Sequence, residues 1–304
     1  MSNFVRSNIT KTYQHIINIM RLSSAFITAL LSLILLLASA PVVYADDKDY
    51  DENPYFLLMG EADKAIADGK YEDAADRLNE AMRIDPKNPG NLILRSNLAM
   101  VYSYLDRDST AIATLDSLIA EAPSMSVAIA NRGRLYLKTG QNRRAYDDFD
   151  RVISLDSLNR DARYFHGMMA LYGGHQDTAE ADFAVLNSVD ADSYQTAVAL
   201  STLYSLTGRD REAVPYFEKL IKLEPTPEFY AGLAGCLLSL GELSRASETI
   251  DAGLKRYSHD PELYYYRAWL NRDRFRLDEA HSDAHRAIEL GASADRVNAL
   301  FEKH

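Results

Sequence analysis

Residues 130–156 read ANRGRLYLKTGQNRRAYDDFDRVISLD, and most of the chain is a variation on that stretch. Its frame is a small residue, Gly133, followed by Tyr136, Gly140, Ala145 and Phe149. A small residue with an alanine twelve positions later recurs seven times: Ala62/Ala74, Ala99/Ala111, Gly133/Ala145, Gly167/Ala179, Ser201/Ala213, Ala234/Ala246 and Ala268/Ala280. Successive alanines stand 37, 34, 34, 34, 33 and 34 residues apart. A period near 34 predicts stacked helix–turn–helix units, none of which can bury its apolar face alone.

Packing explains the frame. With no bulk at the small residue or at the alanine, the two helices of a unit approach closely. The intervening glycine supplies the positive φ that ends the first helix, and a boundary proline (Pro86, Pro123 or Pro225) stops the second. Phe149, Phe183 and Phe217 fill the space between neighbouring units. The repeats run at about 55–88, 92–125, 126–159, 160–193, 194–226, 227–260 and 261–294. Residues 295–304, with Val297, Leu300 and Phe301 on one side, are expected to cap the open end of the stack.

The rest of the chain sets its class. A composition 47 % hydrophobic and 25 % charged is that of a folded protein. Residues 46–304 carry thirty Lys and Arg against forty-four Asp and Glu, a net charge of −14 that argues against nucleic acid as a partner. Cys236 is the single cysteine, in an apolar helical context, and reads as a small core residue. Residues 25–43, AFITALLSLILLLASAPVV, follow Arg6, Lys11 and Arg21 and precede Val43-Tyr44-Ala45 and an acidic run. That is the layout of an export signal over residues 1–45, with Met20 as a possible true start. The acidic residues 46–54 form a linker. If uncleaved, the apolar run is long enough to anchor the chain in the inner membrane, and that is the only membrane contact expected. Both readings place the repeats outside the cytoplasm, in the periplasm or cell envelope.

The small-residue/Tyr/Gly/Ala/aromatic/Pro skeleton, repeated seven times over 55–294, resembles that of tetratricopeptide-repeat proteins, of an exported bacterial type. The resemblance implies an all-α, right-handed superhelical solenoid of about seven helix–turn–helix repeats. It also implies a concave wall, lined by the first helices, that takes a protein or peptide. Projected onto that wall are Met100, Tyr104, Arg134, Lys138, Tyr164, Met168, Tyr172, Tyr265, Trp269 and Arg272. Tyr, Trp and Arg are the side chains that anchor interfaces most effectively. Asp106 and Phe275 stand where the skeleton has glycine, and Asn271 where it has an apolar residue. The lysine and asparagine clamp of chaperone-tail binders is not reproduced, since the matching places hold Met59/Asp63, Ser96/Met100 and Ala130/Arg134.

Catalytic residues are not expected. Arg132 and Asp148, sixteen residues apart, look like an active-site ion pair, but their equivalents decide otherwise. Those are Glu61/Arg77, His166/Asp182 and Arg267/Asp283, and elsewhere uncharged pairs. A pair that exchanges sign yet stays complementary is a structural contact. His281 and His285 share a helix face, but HExxH and a third ligand are missing, so neither a metal nor a cofactor is expected. The sequence therefore reads as a non-catalytic scaffold for a protein or peptide, with a self-assembling envelope protein or a membrane-anchored adaptor as alternatives.

Overall fold

The computed structural model describes residues 53–302, and every regular element among them is helical. The export segment and most of the acidic linker lie outside the described residues, as do 303–304. The chain divides after Tyr172, inside the fourth repeat, into two compact units.

Unit 1 carries α1 (Pro54–Ala67), α2 (Tyr71–Ile84), α3 (Asn91–Tyr104), α4 (Asp108–Glu121), α5 (Ser126–Lys138), α6 (Asn142–Leu155) and α7 (Arg160–Tyr172). Here α1–α2, α3–α4 and α5–α6 pack as antiparallel pairs, and α7 lies against α6. Unit 2 carries α8 (Gln176–Val189), α9 (Tyr194–Leu206), α10 (Asp210–Leu223), α11 (Pro227–Ser239), α12 (Leu243–Arg256), α13 (Pro261–Asp273), α14 (Leu277–Glu289) and the short α15 (Ala294–Asn298). In it α8 lies on α9, the pairs are α9–α10, α11–α12 and α13–α14, and α15 closes on α14.

Local chemistry sets the boundaries. Asn53 accepts a bond from the Tyr55 amide at 3.0 Å, and Pro54, read as the end of the linker, is the first residue of α1. Ser193 and Asp260 cap α9 and α13 in the same manner. Pro86, Pro123 and Pro225 each stand two residues beyond the last residue of a second helix. At the turns, Gly140 and Gly174 have φ of 77° and 82°, and Asp106 and Phe275 adopt the same left-handed conformation at 56° and 60°. The repeat imposes this geometry even where the residue disfavours it.

Both members of each small-residue/alanine pair are buried. A Cβ on Gly133 would lie 3.0 Å from the Phe149 ring, and one on Gly232 only 2.5 Å from Phe217. Phe217 thus fills a notch cut in the next helix pair, while Phe149 stacks on Phe165 of α7 with centroids 5.1 Å apart.

The repeated ion pair is structural. Arg132 Nε and Nη2 donate to Asp148 at 2.9 and 2.7 Å, and Arg267 does the same to Asp283 at 2.9 and 2.6 Å. Glu61 and Arg77 also meet, at 3.1 Å, but in the open. Arg132 reaches further, to Asp116 of the preceding repeat at 2.7 Å. His166 and Asp182 are both buried, one in each unit, and His166 lies 4.2 Å from the Tyr146 ring by centroid.

Candidate functional site

Residues four apart share a helix face, so Met100 and Tyr104 on α3, Arg134 and Lys138 on α5, and Tyr164, Met168 and Tyr172 on α7 form three successive rungs in unit 1. The α3 and α5 rungs are joined by polar bonds: buried Asn131 donates to Ser96 Oγ at 3.0 Å. Arg134 donates to Asn131 Oδ1 at 2.9 Å and pairs with Asp161 of α7, its guanidinium 5.6 Å from the Phe165 centroid. Lys138 Nζ donates to the Ser103 carbonyl at 2.6 Å and to Asp108 at 2.8 Å, tying α5 to the turn between α3 and α4. Both cations are therefore employed within the chain.

The aromatic members are held as well. Tyr104 stacks on Tyr71, centroids 4.7 Å apart at 13°. Burial raises its phenol pKa, the neighbouring Tyr71 adds to this, and the Arg134 charge opposes it. Burial pushes the Tyr164 phenol up to about 12, and burial followed by Tyr164 raises that of Tyr172. Met100 and Met168 remain half-buried.

In unit 2, Tyr265 belongs to the core rather than to an open wall. It is 8 % exposed, packed with Ala268, Ala287, Val297 and Leu300, and its ring lies 3.9 Å below the Arg296 guanidinium. Covering the end of the stack required apolar surface, and this face supplied it. Trp269 Nε1 donates to Asp273 at 2.8 Å, and Arg272 donates to Asp273 and to the Leu300 carbonyl, at 2.7 and 2.8 Å. Trp269 and Arg272 thus stay half-buried, already hydrogen-bonded.

Asp63, at one of the places that match the chaperone-tail clamp, is the charged member of this face left without an internal partner among the described residues. One turn beyond Met59 on α1, it is exposed and has no hydrogen-bond or ion-pair partner among the described residues. Desolvation by its neighbours nevertheless raises its pKa. Its place on the wall was readable from the repeat; its lack of an internal partner was not.

Among the described residues no group of three or more His, Cys, Asp or Glu is placed to hold a metal ion. His281 stacks on Phe301, and His285 lies 3.3 Å from Glu289. No described helix is long and apolar enough to cross a membrane.

Family models described as tetratricopeptide repeat match residues 65–131, 127–157 and 207–270, together just over half of the chain. The chain belongs to the tetratricopeptide-repeat family. Proteins of this family are typically non-catalytic and bind other proteins. Curated relatives include Superkiller complex protein 3 of Mus musculus, 26 % identical over 171 residues, which are 55 % of this chain and 11 % of that protein. Another is the co-chaperone DNJ1 of Fusarium oxysporum, with a tetratricopeptide-repeat and a J domain, 23 % identical over 180 residues, 56 % of this chain and 34 % of it. The chain therefore matches only about a tenth to a third of such relatives' length. Among solved structures, a tetratricopeptide-repeat protein from Parabacteroides merdae aligns with TM-score 0.55 and 22 % identity, over 81 % of this chain and 97 % of that one. PilW, a type IV pilus biogenesis factor, aligns at 0.58 and 18 %, over 69 % and 96 %. YrrB, described as having an unusual peptide-binding site, aligns at 0.53 and 17 %, over 61 % and 96 %. At these identities the likeness is one of fold.

Proposed function

We propose that this tetratricopeptide-repeat protein is a non-catalytic scaffold of the cell envelope or periplasm that binds a protein or peptide on the face of its first helices. The observation that carries the reading is the row of half-buried methionines and aromatics on α3 and α7. Met100, Tyr104, Tyr164 and Met168 keep accessible area on a helical face. Such side chains gain most from losing their remaining water to a partner. Export is supported by the basic–apolar–small layout of residues 1–45. YrrB, with a peptide-binding site on the same fold, and PilW, a pilus biogenesis factor, make both parts of the reading physically ordinary.

The test is a crosslinking pull-down from the native envelope fraction with wild type and a Met100→Ser/Met168→Ser variant of unchanged melting temperature. Loss of the captured set in the variant supports the reading; an unchanged set sinks it. Mass spectrometry of the mature N-terminus checks export, and an intact Met1 or Met20 would rule out cleavage.

Self-association is a second reading, favoured by Phe275. Its side chain is 90 % exposed on a strained left-handed turn, with Leu277 exposed beside it. A dilution-stable oligomer in light scattering, lost in Phe275→Ser, is the expected outcome of that alternative.

A further inference from the structure

We propose that the first-helix face of unit 1 selects segments that are apolar along most of their length and carry one basic residue, which seats against Asp63. The proposal rests on the reading of this face as the binding wall and adds the chemistry of its partner.

The charges on the face decide the sign. Arg134 is satisfied by Asp161 and Asn131, and Lys138 by Asp108 and Ser103. To capture a carboxylate or a phosphate, either cation would first have to leave an internal partner. Asp63 is in the opposite position: it has no partner of its own among the described residues. Its neighbours also take away part of its water, which raises its pKa. An exposed carboxylate with no partner among the described residues loses its water without return under an apolar or acidic ligand and gains an ion pair from a cation. The site therefore discriminates by penalty as well as by attraction.

The surroundings supply the apolar part. Met59, one turn before Asp63, packs on the cluster that includes Leu94, Leu98 and Val101 of α3. Further along the face are Met100 and Tyr104, then Met168. Methionine adapts its shape to varied apolar side chains. A net charge of −14 over residues 46–304 also favours encounter with basic segments.

The experiment uses the full chain and three fluorescein-labelled decapeptides of Leu, Met, Phe and Ser, identical except for Lys, Gln or Glu at the fifth position. Binding is followed by fluorescence polarisation. The Lys peptide should bind about tenfold more tightly than the Gln peptide, a difference of one decade in Kd, with the Glu peptide weakest. Asp63→Asn should bring Lys and Gln to parity with an unchanged melting temperature, because no internal bond is lost. Asp63→Lys should favour the Glu peptide. Met100→Ser should weaken all three alike. A Lys preference that survives Asp63→Asn overturns the assignment to Asp63 and leaves the wall intact. If none of the peptides binds, or binding ignores Met100→Ser, the wall itself is wrong and the proposal falls with it.

Discussion

Asn271 donates its side-chain amide to Asp283 at 2.9 Å, on the same Oδ2 that accepts the Arg267 Nε. A polar residue at an otherwise apolar place in the repeat is thereby explained: it is the second donor to a buried carboxylate. Asn271→Leu should lower stability by about 1 kcal/mol, because Asp283 keeps Arg267 but loses one bond. Arg267→Met/Asn271→Leu should lower it by more than the two single changes together, as read from urea unfolding midpoints.

The better-buried bridge offers a sharper contrast. Arg132 and Asp148 have side chains only 17 % and 8 % exposed, and the hydrogen bond to Asp148 is the first cause of the raised Arg132 pKa. Arg132→Met strands the carboxylate and should cost about 3 kcal/mol, whereas Arg132→Met/Asp148→Leu should recover most of it. Arg77→Met, at the exposed equivalent, should shift stability by about 0.5 kcal/mol or less.

Two glycines on first helices should respond with opposite signs to the same change. Gly60, inside α1, has nothing within 4 Å of an added Cβ, so Gly60→Ala should stabilise by about 0.5–1 kcal/mol through reduced backbone freedom. Gly232→Ala drives its Cβ to 2.5 Å from Phe217 and should destabilise by about 1–3 kcal/mol. Differential scanning calorimetry of the pair is sufficient.

Phe275 combines φ of 60° with a side chain that packs on almost nothing. Phe275→Gly relieves left-handed strain of about 1–2 kcal/mol, partly offset by glycine's greater freedom when unfolded, so a net gain of about 0.5–1 kcal/mol is expected. A fall in melting temperature would mean that the ring makes a stabilising contact, as in an oligomer.

Cys236 should be chemically silent in the native protein. Burial, followed by the Asp210 carboxylate beside it, pushes its thiol up to about 12, far above the pH at which thiol reagents are used. The thiolate fraction at pH 8 is therefore small, and reaction with Ellman's reagent should be slow until denaturant opens the chain.

The repeat and its joints were legible in the sequence because they rest on periodic requirements. Ala145 and Ala179 meet the same demand for closeness, and Gly140 and Gly174 the same demand for positive φ. The bridges were legible for a related reason: Glu61/Arg77 exchanges the signs of Arg132/Asp148 and Arg267/Asp283 and stays complementary. Individual departures were less so. Asp106 and Phe275 show that the left-handed turn persists without glycine, a fact that only backbone geometry reveals.

The face of the first helices is where sequence and tertiary structure part. By itself the sequence determined the fold class and the seven-repeat frame, and with them the helical position of each Tyr, Met, Trp and Arg on the first helices. Whether each of those side chains is spent internally depended on neighbours about 30 residues away, a distance at which no local pattern speaks. Arg134 and Lys138 went to Asp161 and Asp108, and Tyr265 went beneath the terminal helix. Asp63 was left without a partner among the described residues. A helix periodicity states which way a residue points; only the packed neighbours state what it meets there.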